Sequence, residues 1–161
     1  MRTNNGKVKN IIVSVYFVLI LVGIVSLTIF NTFREVTDNP GLTFTAILLG
    51  FMFVTFLVHR ISKYFEYDSD GVKVVVVNRG LLLSEKFNYR EHIEEFDKPK
   101  LEVFKFHNYL VFKTLVLTLR DRHGNLRKSV FNVTLVQRKK RKYIKQSLRK
   151  IIKENRKNSE A

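Results

Sequence analysis

Two long uncharged runs open the chain, and from residue 64 onward alternating polar and apolar positions replace them. Residues 11–30 read IIVSVYFVLILVGIVSLTIF, 20 positions without a charge, and residues 41–58 form a second run of 18. At about 1.5 Å of rise per residue, such runs match the roughly 30 Å hydrocarbon core of a bilayer. Both are apolar on every side, unlike a helix lying on the surface of a soluble domain. The first is too long for the core of a signal peptide, and the bulky Phe30-Asn31-Thr32-Phe33 that follows offers no cleavage site. The pattern predicts a hairpin of two transmembrane helices, spans about 11–33 and 41–59, with Asp38-Asn39-Pro40-Gly41 turning the chain into the second. The hydroxyls at membrane depth belong to Ser14, Tyr16, Ser26, Thr28, Thr43, Thr45 and Thr55, and those of Ser and Thr are expected to bond back to their own helices. Gly23 and Gly50 are the positions that allow close helix–helix approach.

Beyond the hairpin the period falls to two. Residues 72–77 (VKVVVV) predict a strand between turn signals at 68–71 and 78–80. Residues 81–84 and 86–90 read as the returning strand, 91–96 as a helical turn, and 101–106 as a further strand. In the strand at 114–120, Leu115, Leu117 and Leu119 alternate onto one face. A turn at 121–125 leads into a strand at 126–133. The period then changes again: Ile144, Leu148, Ile151 and Ile152 fall at i, i+4, i+7 and i+8, an amphipathic helix over 137–153. The predicted fold is therefore a transmembrane hairpin followed by a mainly β antiparallel barrel or sandwich with one C-terminal α-helix closing its open end. The predicted organisation is a segment 1–10, a hairpin 11–60, a domain 64–153 and a basic tail 154–161.

Charge adds an orientation. Of 29 Lys+Arg and 14 Asp+Glu, residues 137–161 hold 11 and 2, so 11 − 2 = +9 of the net +15 lies there. Arg2, Lys7 and Lys9 precede the first run, Arg60 and Lys63 follow the second, and the loop at 31–40 carries Arg34 with Glu35 and Asp38. The positive-inside bias then places both termini in the cytoplasm. Four extended residues, 60–63, reach roughly 13 Å, which would keep the domain close to the bilayer.

Candidate chemistry is sparse. There is no cysteine, so disulfides and thiolate sites are excluded. His59, His92, His107 and His123 have no metal-ligand spacing. His92 with Glu94 and Glu95 is the one acid–imidazole cluster, and acid–base work would require those groups to converge on a pocket. The seven glycines form no phosphate loop, and neither uncharged run carries the ionisable residue that a pump or ion path needs. Asn132-Val133-Thr134 matches a glycosylation acceptor that a cytoplasmic domain would not use. No enzymatic activity, cofactor or metal is expected.

The element order resembles the bacterial pleckstrin-homology-like domain, over residues 64 to about 153. The residues that carry the likeness are the Asp70-Gly71 hairpin into VKVVVV, FNYREHIEEF (87–96), LVLTLRDRHG (115–124) and the basic helix ending in LRKII. In membrane-bound members of that family, paired hydrophobic spans precede the domain. The resemblance implies a non-enzymatic ligand- or partner-binding module at a bacterial cytoplasmic membrane.

Two stretches are candidate binding surfaces. Residues 105–113, KFHNYLVFK, place Phe106, Tyr109, Leu110 and Phe112 between Lys105 and Lys113, a composition that suits a membrane interface or, alternatively, a hairpin packed into the core. Arg138, Lys139, Lys140, Arg141 and Lys142 stand at the start of the last helix, where the macrodipole disfavours cations. Each cation near an anionic leaflet contributes about 1 kcal/mol. The expected partners are anionic lipid headgroups, a protein partner or another copy of the chain. An accessory role in a membrane complex is the alternative. Nucleic-acid binding is disfavoured, because Tyr143 is the lone aromatic beside the cluster.

Overall fold

The computed structural model describes residues 1–33, 39–80, 92–121 and 123–160. The chain forms two compact units: Lys9–Ser62, and a second that joins Met1–Val8 to Lys63–Ala161.

The first unit consists of α1 (Val8–Phe33) and α2 (Pro40–Ile61). Both helices are long and apolar enough to cross a membrane. No residue of α2 is buried within the chain. Asn39 caps α2 by accepting a hydrogen bond from the Leu42 amide at 3.4 Å, with Pro40 in the first turn. The hydroxyls of Ser14, Thr28, Thr43 and Thr45 donate to carbonyls four residues back, as expected, but the Thr55 hydroxyl departs from that expectation and has no hydrogen-bond partner among the described residues. The two glycines differ. A Cβ on Gly23 would stand 3.3 Å from the Phe51 ring, so the helices touch closely there, whereas Gly50 faces open space.

The second unit holds two antiparallel sheets and a helix. The first sheet has the order β1 (Arg2–Asn4), β2 (Lys63–Asp68), β3 (Lys73–Gly80) and β4 (His92–Asp97). A 3₁₀ turn at Lys98–Lys100 leads into the second: β5 (Leu101–Asn108), β6 (Lys113–Arg120) and β7 (Leu126–Asn132). The final helix, α3, runs Arg138–Glu160, through most of the expected tail. One core lies among the three layers. Phe65, Tyr67, Val74, Val76 and Phe96 come from the first sheet, Leu115, Leu117, Leu119 and Phe131 from the second, and Ile144, Leu148 and Ile151 from α3. The leucine alternation and the helical stripe thus meet as expected.

Two expectations change. The sheets do not close into a barrel: the chain passes from β4 to β5 through the turn at Pro99, which has no N–H to extend a ladder, and each sheet keeps its own pairing. Residues 91–96 are not a helical turn: His92–Asp97 is a strand, because the valine-rich β3 offers it a full ladder, with Val74 opposite Phe96 and Val76 opposite Glu94. The structure also shows an edge strand that the pattern did not mark: Arg2–Asn4 pairs with Glu66–Asp68. The strands expected at 81–84 and 86–90 lie outside the described residues.

Candidate anion-binding groove

The domain has two distinguishable ends. The chain enters and leaves it at one of them. There the Asn5 side chain donates to the Lys63 carbonyl at 3.0 Å and accepts from the Phe65 amide at 2.9 Å. Lys63 pairs with Gly80, and two residues along, Asn78 exchanges hydrogen bonds with the Asn132 backbone, each 3.1 Å. Asn132 ends β7, opposite Thr114 at the start of β6. The β5–β6 hairpin tip therefore lies at the same end of the domain as Asn5 and Lys63. At the other end are the turns at 68–73 and 121–125, the turn at Lys98–Lys100, and the C-terminal half of α3, where Asn155 donates to the Lys98 and Leu101 carbonyls.

Local bonding fixes the start of α3 beside the hairpin. The Val133 amide donates to the Lys113 carbonyl at 2.9 Å, and the Lys113 amide donates to the Thr134 hydroxyl oxygen at 2.9 Å. This places Lys113 and Asn108 against Arg138, Lys139, Arg141 and Lys142, around an open groove of about 930 Å³ floored by Phe106. Lys145 also lines it, and with Phe106 it leads into a second stretch of about 600 Å³ between β5 and α3. Lys105, Arg149, Lys153 and Arg156 edge that stretch. The spacing 138, 142, 145, 149, 153, 156 runs down one flank of the helix.

The structure so brings six of the seven expected residues to one continuous surface. The seventh, Lys140, does not join them: its ammonium turns to the opposite flank and donates to the Asn4 carbonyl at 2.5 Å, tying α3 to β1. A helix position cannot face both sides, and residue 140 lies two places from both 138 and 142. The extension by Lys145, Arg149, Lys153 and Arg156 was present in the sequence as a repeat of three and four residues, but its common neighbour β5 was not.

The electrostatics are one-sided. Among the described residues no carboxylate lines either stretch, and the first turn of α3 holds no acid. The Arg141 Nε is buried with no hydrogen-bond partner among the described residues, a state that costs free energy unless an acceptor arrives. Elsewhere carboxylates and cations are matched: Glu66 with Arg2 at 2.8 Å, Glu95 with Lys73 at 2.7 Å, Glu102 with Arg120 at 2.8 Å. Glu66 also accepts from the Tyr64 hydroxyl at 2.7 Å. That bond, followed by the Arg2 contact, holds the Glu66 carboxyl below the usual range. Burial, then the same carboxylate, pushes the Tyr64 phenol up to about 12.

The acid–imidazole cluster does not form. Glu94 points inward on β4, where Arg127 and Ser129 donate to its two oxygens and join the sheets. His92 packs its ring against Phe131, and Glu95 leaves on the other face to Lys73. Among the described residues no three His, Asp or Glu side chains gather as a metal site. The arrangement can hold phosphate-type oxyanions along an aromatic-floored channel of cations. Comparison with protein-family models, with curated proteins and with solved structures finds no match for this chain.

Proposed function

We propose that the chain is a membrane-anchored, non-enzymatic module: α1 and α2 anchor it, and the groove between α3 and the β5–β6 hairpin binds the phosphates of anionic lipid. The observation that carries the reading is the coincidence at one end of the domain. The cations at the start of α3, beside which no carboxylate lies among the described residues, stand where the chain leaves for the two apolar helices at Asn5 and Lys63, and one residue, Ser62, separates α2 from β2. Because β1 and β2 share a sheet, residues before α1 and after α2 lie on one side of any membrane the helices cross. The Lys/Arg distribution favours the cytoplasmic side, with a bacterial inner membrane as the setting. The paired apolar helices, antiparallel sheets and C-terminal helix accord with the pleckstrin-homology-like resemblance, apart from barrel closure.

The test uses the full chain in mild detergent, mixed with phosphatidylglycerol or phosphatidylcholine and read by native mass spectrometry. Wild type should retain phosphatidylglycerol preferentially, and retention should fall as salt rises. The combined variant K113Q, R138Q, K139Q, R141Q and K142Q should lose that preference without a fall in melting temperature. Equal retention by both proteins overturns the reading and leaves a protein partner of an accessory subunit as the better account.

A further inference from the structure

Among the described residues, the β5–β6 hairpin tip is built unlike the two hairpin turns at the far end of the domain. Those two are polar: Asp68-Ser69-Asp70-Gly71, where the Asp70 amide donates to the Asp68 side chain at 3.0 Å, and the turn between β6 and β7, where the Asp121 amide donates to the Asn125 carbonyl at 2.8 Å and Gly124 stands at φ 81°. Such composition is what a solvated turn requires. Residues 109–112 are instead Tyr-Leu-Val-Phe, held as a compact turn by a 2.9 Å hydrogen bond from the Tyr109 amide to the Phe112 carbonyl. Tyr109 and Phe112 lean together with ring centroids 4.7 Å apart. This contact does not hide them. Tyr109, Leu110, Val111 and Phe112 are 51%, 104%, 46% and 40% exposed. Packing into the core, the alternative the sequence left open, is taken up by Phe106 alone, which lies against the core cluster.

A fully exposed leucine between two aromatic side chains is unfavourable in water. It is well placed at the boundary of headgroups and acyl chains, where an aromatic body and a polar tip are both accommodated. Three observations choose the bilayer as occupant. Lys113 follows the tip directly and lines the cationic groove with Arg138 and Lys142, a rim complementary to anionic headgroups. The tip lies at the end of the domain from which the chain runs to the two apolar helices. The far end presents polar turns instead. We infer that Tyr109–Phe112 inserts as an apolar wedge into the interface of an anionic bilayer, beside the lipid phosphates held in the groove. This rests on the lipid reading proposed above and adds a second, apolar contact to it.

The chain has no cysteine, so single spin labels can be placed without background. Full chains carrying Leu110→Cys, Val111→Cys or, at the far end, His123→Cys are labelled and reconstituted at one chain per nanodisc. The discs contain phosphatidylcholine with or without phosphatidylglycerol. With phosphatidylglycerol, labels at 110 and 111 should become accessible to oxygen and shielded from a soluble nickel chelate by severalfold, while the label at 123 stays open to nickel. Labels at 110 and 111 that remain open to nickel overturn the wedge, and lipid retention measured by mass spectrometry then still stands or falls by itself. If the tip is shielded only in discs loaded with two chains, with spin–spin broadening between the labels, it is a contact between copies and the inference fails. Leu110→Asp supplies a check independent of labelling: it should weaken shielding at 111 without altering the melting temperature, because residue 110 touches no core. Unchanged shielding in that variant overturns the wedge as well.

Discussion

The two flanks of α3 both carry lysine and differ in chemistry. On the flank facing β1 and β2, Lys140 reaches the Asn4 carbonyl, Ser147 exchanges hydrogen bonds at 3.0 Å with the hydroxyls of Tyr67 and Ser69, and Lys150 lies 3.9 Å from Glu154. On the flank facing β5, Arg138, Lys142, Lys145, Arg149 and Lys153 line an open channel, with no carboxylate among the described residues that edge it. One flank is completed within the chain. The other has no carboxylate beside it among the described residues, and like charges stacked at i, i+4 cost a few tenths of a kcal/mol each. Lysine content therefore says little about a helix surface; what matters is whether the neighbouring strand supplies acceptors.

The most disruptive way to break the comparison is to remove the stripe on which both flanks depend. Leu148 and Leu117 are fully buried in the shared core, so Leu148→Ala or Leu117→Ala should each cost about 2–5 kcal/mol. Denaturant unfolding of the domain signal measures it. A cost below about 0.5 kcal/mol at either site would place the helix elsewhere.

A smaller loss follows from separating the sheets. Glu94→Ala leaves the Ser129 hydroxyl without its carboxylate and frees Arg127, and should cost about 1–3 kcal/mol. The same substitution at Glu95, whose Lys73 partner is exposed, should change stability by less than about 1 kcal/mol. Equal effects would mean that Glu94 does not tie β4 to β7.

The comparison is sharpened by one change on each flank. Lys142→Glu puts an acid in the second turn of α3, four residues from Arg138, and should raise stability by about 0.3–1 kcal/mol while lowering phosphatidylglycerol retention. Lys140→Gln should do the reverse, losing about 0.5–1.5 kcal/mol with its bond to Asn4 and leaving retention unchanged. Melting temperature and lipid retention measured together separate the flanks; matching profiles would merge them.

The gentlest probe is pH, acting on the completed side. Because the Glu66 carboxyl is held low in the folded chain, its contribution is complete above the ordinary carboxylate pKa near 4.3 and is lost as pH falls through the folded value. Tyr64 works at the other extreme: its contribution is complete below about 10 and is lost as pH rises through about 12. Protection of the β1 and β2 amides, taken relative to the intrinsic exchange rate at each pH, should fall on acidification below about 4, with the Ile144–Ile151 core of α3 unaffected. A Glu66→Gln variant should remove the acid step, and its persistence would assign the step to another carboxylate.

Much of this architecture was legible in the chain itself. The two apolar runs emerge as α1 and α2, the leucines at 115, 117 and 119 point into the core, and Ile144, Leu148 and Ile151 dock the basic helix. The cationic cluster was legible as well, because its five positions are contiguous. The strand at His92–Asp97 was not, since Ile93 is exposed while Glu94 is buried, and hydrophobic alternation points the wrong way. Its inward face is chosen by Phe96 opposite Val74, and the cost of burying Glu94 is offset by Ser129 and Arg127 on another sheet. Nor could β1 be read, because three residues carry too little pattern to show a period.

What the sequence determined by itself is periodicity: which segments are helix or strand, which faces are apolar, and where positive charge accumulates. That follows from local geometry, 3.6 residues per helical turn and two per strand repeat. Tertiary structure alone decided which neighbours those faces meet. It set Asn78 against Asn132, turned Lys140 toward Asn4 and away from Lys113, and brought the Tyr109–Phe112 tip to the end of the domain where the chain departs. These contacts join residues 54 to 136 positions apart. No local period encodes them, because they are selected by the packing of one shared core.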